Sequence, residues 1–240
     1  TKLHDQPMKN RVYRYDWNGE KLINPILIKE LPGNLDGGHR HNGGAMTKSQ
    51  NSEIYFVIGD LGQRATFQNI PNKTIYETSS IFKIDTENNN SVELYAMGIR
   101  NSFGLAIDPI TGYLWDTENS AHNYDEINLV KPGFNGGWEV TMGPLIIGDR
   151  DSILGVDGSV SFLEHQYLNF MIAVLPITSF FASSVCEIFQ ICPQIISQPF
   201  ENFVYSDPEF SWVETVGPTA IAFPNLTGFE RYSDWLFVGD

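Results

Sequence analysis

Short stretches of alternating side chains that stop on an acidic residue recur along this 240-residue chain, and they restrict its fold more than any other feature. Val12-Tyr-Arg-Tyr-Asp16 is echoed by Ile81-Phe-Lys-Ile-Asp85. Ile54-Tyr-Phe-Val-Ile-Gly-Asp60 is echoed by Tyr113-Leu-Trp-Asp-Thr-Glu118 and again by Trp235-Leu-Phe-Val-Gly-Asp240. The copies return at roughly sixty residues or multiples of it, longer than common propeller blades and consistent with blades that carry long loops. Before residue 150 no stretch sustains an apolar i, i+3, i+4 pattern, so helices are not expected there. Arg11-Val-Tyr-Arg-Tyr-Asp16 alternates as a strand does, and Trp17-Asn-Gly-Glu20 after it reads as a hairpin turn. The expectation is an all-β chain of several four-stranded blades. A propeller closes its ring to hide sheet edges, and the final repeat stops at Asp240, so the chain reads as a fragment with about four blades.

Composition narrows the functions. Hydrophobic residues make up 42% and charged residues 18%, which excludes a disordered tail and suits a globular, glycine- and aromatic-rich β protein. The net charge of −14, with no Lys/Arg cluster to interrupt it, argues against nucleic acid and anionic membranes as partners. Cys186 and Cys192 stand six apart with no His or Cys at metal-ligand spacing, so neither a zinc site nor a disulfide framework is expected. No basic-then-apolar leader is visible at Thr1.

Three stretches carry chemistry. In Asp36-Gly-Gly-His-Arg-His-Asn-Gly-Gly-Ala-Met46 two histidines lie between glycine pairs, where the backbone bends tightly and another molecule can approach; a polar surface loop is the plain alternative. In Met97-Gly-Ile-Arg-Asn-Ser-Phe-Gly-Leu-Ala-Ile-Asp-Pro-Ile-Thr-Gly-Tyr-Leu-Trp115, the composition of residues 108–112 predicts a turn between paired strands at 103–107 and 113–115. Arg100 and Asn101 stand at the entrance of the first strand. There a guanidinium fork and an amide suit a carboxylate or quinone oxygen, or else the Arg caps a surface loop. The third stretch begins at Thr117-Glu-Asn-Ser-Ala-His-Asn-Tyr-Asp-Glu126 and leads into a short apolar strand at 127–130. Hard oxygen donors at this density are what calcium prefers; an acidic solvated loop is the alternative.

Taken in order, these stretches resemble the soluble pyrroloquinoline-quinone (PQQ)-dependent sugar dehydrogenases, the glucose/sorbosone dehydrogenase family. The similarity rests on His41-Asn-Gly-Gly44 with Ile58-Gly-Asp60, Gly98-Ile-Arg-Asn-Ser-Phe-Gly-Leu-Ala-Ile-Asp-Pro109, Asp125-Glu-Ile-Asn-Leu129 with Pro132-Gly-Phe-Asn-Gly-Gly-Trp138, and Gly217-Pro-Thr-Ala-Ile221 with Leu236-Phe-Val-Gly-Asp240. It runs from about residue 12 to 144 and resumes near 204. The resemblance implies a six-bladed β-propeller of the quinoprotein glucose dehydrogenase type, incomplete in this chain. It implies oxidation of an aldose or related alcohol, with PQQ and calcium as cofactors, a small-molecule sugar or alcohol as substrate, an external electron acceptor and an extracellular or periplasmic location. It places His41 on the general base, Arg100 and Asn101 on the pair that contacts the cofactor's oxygens, and Ser120 and Ala121 on the residues whose carbonyls hold calcium. Asp125 falls beside them as a supporting carboxylate, and Trp212 on a substrate-side aromatic.

The chain departs from the family's pattern in places. Ser-Ala stands where the calcium loop usually has Gly-Pro, Ala45 or Met46 where an Arg is frequent, and His39 is a second imidazole beside the expected base. The family's late basic residues, which bind the cofactor's carboxylates, would fall beyond Asp240. Residues 145–203 do not match at all. Their apolar run from Phe170 to Cys186 contains Pro176 and falls just short of a membrane span, so the segment reads as an insertion or a mis-translated stretch inside one partial propeller domain spanning 1–240. Two other functions stay open: a propeller without redox chemistry that serves as a carbohydrate- or protein-binding module, and a calcium-dependent lactonase-like hydrolase.

Overall fold

A computed structural model describes residues 9–33, 40–62, 77–121, 123–138, 142–144, 202–224 and 235–239. Among these residues every regular element is a strand. The apolar segment 170–186, both cysteines and His39 lie outside the described residues. No described helix is long and apolar enough to cross a membrane.

β1 (Asn10–Trp17) and β2 (Leu22–Leu31) form the expected hairpin around residues 18–21. β3 (Met46–Lys48), β4 (Glu53–Ile58), β5 (Ser80–Asp85) and β6 (Ser91–Met97) follow as an antiparallel sheet. That sheet is extended beyond β6 by two short parallel strands, β10 (Phe134–Asn135) and β11 (Val204–Tyr205). β7 (Ser102–Ile107), β8 (Leu114–Glu118), β9 (Asn123–Val130) and β12 (Phe210–Glu214) make a four-stranded antiparallel sheet. β13 (Ala220–Ala222) pairs with β14 (Phe237–Gly239). β7 touches β3 on one side and β13 on the other, so the leading strands of successive sheets are neighbours, as they are around a propeller axis.

The two-residue period of a strand explains how the sheets stack. Along β4, Tyr55 and Val57 point into a core shared with Ile81, Tyr95, Leu105, Leu114 and Val130, which joins the second sheet to the third. The alternate residues Phe56 and Ile58 point the other way, into a core with Leu31, Phe82 and Ile84 that is backed by Val12 and Ile28 of the hairpin. β4 is therefore apolar on both faces because blades cover it on both sides. Across the β4–β5 ladder Phe56 stands opposite Phe82, with the rings stacked at 5.3 Å.

The turn predicted at 108–112 is present. Asp108 accepts the backbone N–H of Ile110 at 2.8 Å, and Gly112 donates to the Asp108 carbonyl at 2.8 Å, which joins β7 to β8. One expectation is corrected here. Thr117 to Glu126 does not form one acidic solvated loop: β8 runs on to Glu118 and β9 already begins at Asn123, with Glu118, Asp125 and Glu126 fully buried on the strands.

Candidate functional site

The chain gathers its unusual residues at one end of the sheets. β3 begins there, β4 and β6 end there, β7 begins there and β8 ends there. His41 precedes β3 in a left-handed backbone conformation (φ 52°), uncommon for a residue with a side chain. Its position is imposed by the following turn. Gly44 N–H donates to the Val57 carbonyl on β4, Val57 N–H donates back to the Ala45 carbonyl, and a Cβ on Gly43 would sit 2.3 Å from the Val57 carbonyl. Only glycine permits that approach.

His41 Nδ1 lies 2.6 Å from Asp60 Oδ1. Asp60 is 2% exposed, and its other hydrogen-bond partners are donors: Gly62 N–H at 2.7 Å to Oδ1 and the Trp138 indole N–H at 2.9 Å to Oδ2. A carboxylate so placed acts as an acceptor, so the imidazole meets it with Nδ1–H and keeps the Nε2 lone pair for a ligand.

Arg100 arrives from the next connection. Its carbonyl accepts Asp60 N–H at 2.9 Å, and its Nη1 donates to the Asn119 carbonyl at 2.6 Å. The guanidinium lies 5.4 Å from the Trp138 ring centre. Gly59 is the hinge of this arrangement. A Cβ on it would meet the Arg100 carbonyl at 2.5 Å and the His41 carbonyl at 2.6 Å, so the backbones carrying the two side chains are pressed together over a glycine.

Asn101 is buried, and its carbonyl accepts Asn119 N–H at 3.0 Å. Ser120 and Ala121 continue from Asn119. Asp125, fully buried, holds that loop: Oδ1 accepts Ser120 N–H, and Oδ2 accepts both Val216 N–H and Gly217 N–H, all at 2.7 Å. One carboxylate thus ties the 119–121 loop to the segment after β12. Trp212 is not brought into the group. It lies on β12, the edge strand farthest from β7 in its sheet, and stacks edge-on against Phe210 at 4.9 Å.

Behind the loops is a buried acidic face that sequence reasoning did not identify. In the β8–β9 ladder Asp116 stands opposite Asn128 and Glu118 opposite Glu126. Desolvation pushes Asp116 up to about 7 and Glu126 up to about 8, and raises Glu118 well above the usual carboxylate range. Among the described residues neither Asp116 oxygen has a hydrogen-bond partner, so desolvation outweighs the lowering influence of nearby Asn128 and Ser102. Glu118 receives the Arg100 backbone N–H, and Glu126 receives Gly143 N–H.

Asp60 and Trp138 were also missed as functional residues. Their signals were present: an aspartate directly after the strand-ending Gly59, and a tryptophan directly after the pair Gly136-Gly137. Their meeting across 78 positions is set by tertiary structure alone.

The 119–121 loop carries donors of the kind a hard cation takes. Asn119 Oδ1 and Ser120 Oγ are buried oxygens without a hydrogen-bond partner among the described residues, and they flank carbonyls on the same loop. Hard neutral oxygens of this kind suit calcium.

The family profile described as Glucose / Sorbosone dehydrogenase matches residues 4–147. Quinoprotein glucose dehydrogenase B of Acinetobacter calcoaceticus is 28% identical over 167 residues, covering 59% of this chain and 33% of that protein. Among solved structures, the soluble aldose sugar dehydrogenase of Escherichia coli in its apo-form superposes with a TM-score of 0.58 at 18% identity, covering 97% of this chain and 57% of the other. The PQQ-bound form of the aldose sugar dehydrogenase of Streptomyces coelicolor gives 0.51 at 20% identity, covering 89% and 48%. The chain spans about a third of the length of the curated relatives it matches. The fold is that of the quinoprotein glucose dehydrogenase propellers, of which this chain spans an incomplete part. With more than half of its residues matched by the profile, the chain belongs to the glucose/sorbosone dehydrogenase family.

Proposed function

We propose that this chain contributes to the PQQ-dependent oxidation of an aldose or related alcohol. The observation that carries the reading is the packing at Gly59, where the carbonyls of His41 and Arg100, from two different connections, both close on the one position that a side chain would fill. A base and a cation that must act on neighbouring atoms of one bound assembly need that kind of rigid spacing.

In this reading His41 is the general base. Its Nε2 takes the proton of the substrate hydroxyl while Asp60 fixes the ring and stabilises the imidazolium that forms. Arg100 and Asn101 orient the cofactor's oxygens. The Ser120 and Ala121 carbonyls hold calcium, and Asp125 keeps their loop in shape through its three backbone hydrogen bonds. Bound PQQ supplies the two-electron acceptor, and calcium supplies Lewis-acid polarisation. The names of the relatives support the substrate class and the quinone, and the buried oxygens at Asn119 and Ser120 support the cation.

The test is to titrate the protein with calcium and PQQ, then follow dye reduction with aldoses and with non-sugar alcohols. Saturable binding of PQQ that depends on calcium, with sugar-dependent dye reduction, supports the reading. Calcium binding with no quinone binding and no turnover replaces it with the binding-module alternative.

A further inference from the structure

We propose that Trp138 is a positioning residue that couples the His41–Asp60 pair to the Arg100 guanidinium, holding one through its indole N–H and the other through its ring face. The inference rests on the role given to His41 and Arg100 above and extends it to a residue that acts through those two side chains.

The geometry is specific. Trp138 is 3% exposed, and its own backbone N–H is fixed to the Gly98 carbonyl at 3.1 Å, two residues before Arg100. From that anchor the indole N–H reaches Asp60 Oδ2 at 2.9 Å, while the ring lies 5.4 Å from the guanidinium carbon of Arg100. The Asp60 carboxylate is consequently shared, with His41 on Oδ1 and Trp138 on Oδ2. A donor on Oδ2 withdraws negative charge from the carboxylate and weakens its pull on the imidazole proton. The same indole offers its negative face to Arg100, so the side chain that tempers the base also seats the cation. Among the described residues, Arg40 lies close by, with its Cβ near Gly62, and Glu118 receives the Arg100 backbone N–H. Neither bridges the two sides as Trp138 does. Tyr124 and Met142 pack with Trp138 in one buried cluster.

The test uses nuclear magnetic resonance on the chain without quinone or sugar. The probes are the ring nitrogens of His41, the indole N–H of Trp138 and the side-chain Nε–H of Arg100. In the unmodified chain the Trp138 indole resonance moves with pH at the His41 transition, because protonating the imidazole changes the acceptor strength of Oδ2. Trp138→Phe keeps a ring beneath Arg100 and removes the donor. It moves the His41 transition upward by about half a pH unit or more and leaves Arg100 Nε–H close to its place. Trp138→Leu moves both. The other histidines stay fixed in each case, which a general loosening of the fold would not produce.

A His41 transition that Trp138→Phe leaves in place overturns the proposal, as does a shift common to all histidines. Should Trp138→Phe fail to fold, the unmodified chain decides: an indole resonance that stays flat through the His41 transition overturns the coupling. A chain that binds no quinone removes the functional reading alone, since none of these signals requires it.

Discussion

Asp125 Oδ2 accepts the backbone N–H groups of Val216 and Gly217 at 2.7 Å each, from partners 91 and 92 positions away in the sequence. A third N–H, from Ser120, meets the other oxygen of the same carboxylate. Removing it by Asp125→Ala leaves three backbone donors without their charged acceptor and frees the 119–121 loop. Calcium affinity measured by titration calorimetry falls at least about tenfold, the usual cost of losing a group that orients metal ligands. Asp125→Asn, which keeps one acceptor oxygen, falls between the two.

His41→Ala removes the only imidazole among the described residues that is paired with a buried carboxylate. Turnover in the dye assay drops by about 10²- to 10⁴-fold, the range general-base catalysis contributes, while calcium-dependent PQQ binding stays within about threefold. Turnover that survives the change removes His41 from the base role.

Asp60→Ala separates orientation from chemistry. It leaves the imidazole in the chain, strips the partner from Nδ1, and orphans the Trp138 and Gly62 donors. The buried Trp138 donor left without an acceptor costs about 1–3 kcal/mol, the exposed Gly62 N–H less, so the melting temperature falls along with kcat. Asp60→Asn retains an acceptor oxygen and recovers part of the stability. It recovers less of the activity, because an amide cannot stabilise an imidazolium as a carboxylate does.

The buried Asp116 makes stability depend on pH with a definite sign. Its carboxyl is raised from the ordinary value of 3.8 to about 7 by desolvation, so between those two pH values the folded chain holds a proton that the unfolded chain has released. Stability from this group is complete below about pH 4 and is lost as the pH rises through about 7. Asp116→Asn mimics the protonated acid at every pH. It raises the melting temperature at pH 8 by about 3–8 °C and has little effect at pH 4, read by calorimetry across the range. An equal change at both pH values would show that Asp116 is not the titrating group.

What the sequence revealed of this molecule depended on how local the cause was. The 108–112 turn was legible because Asp108 and Gly112 satisfy it within five residues. The strand at 54–58 was legible because its continuous apolar run matches two covered faces. Asp125 was placed beside the expected calcium loop, but its three backbone partners include two that lie across the chain. Glu126 fell in a stretch whose plain alternative was a solvated loop and Asp116 was not singled out, since nothing in a string of residues says that a neighbouring sheet covers them. His41 and Arg100 were picked out as separate features; the glycine that joins them has no meaning until two loops converge on it.

That glycine has a structural consequence of its own. β4 is apolar on both faces, so greasiness alone does not tell it which residue should oppose which on β5. A slip by one position would exchange one oily surface for another and bring a side chain into the gap between the His41 and Arg100 carbonyls, where a Cβ would lie at 2.6 and 2.5 Å. The gap therefore acts as a key that only the correct alignment of the strand can enter. Assembly of the sheet and assembly of the chemistry are one event, and a variant that relaxes the second loses its guard on the first.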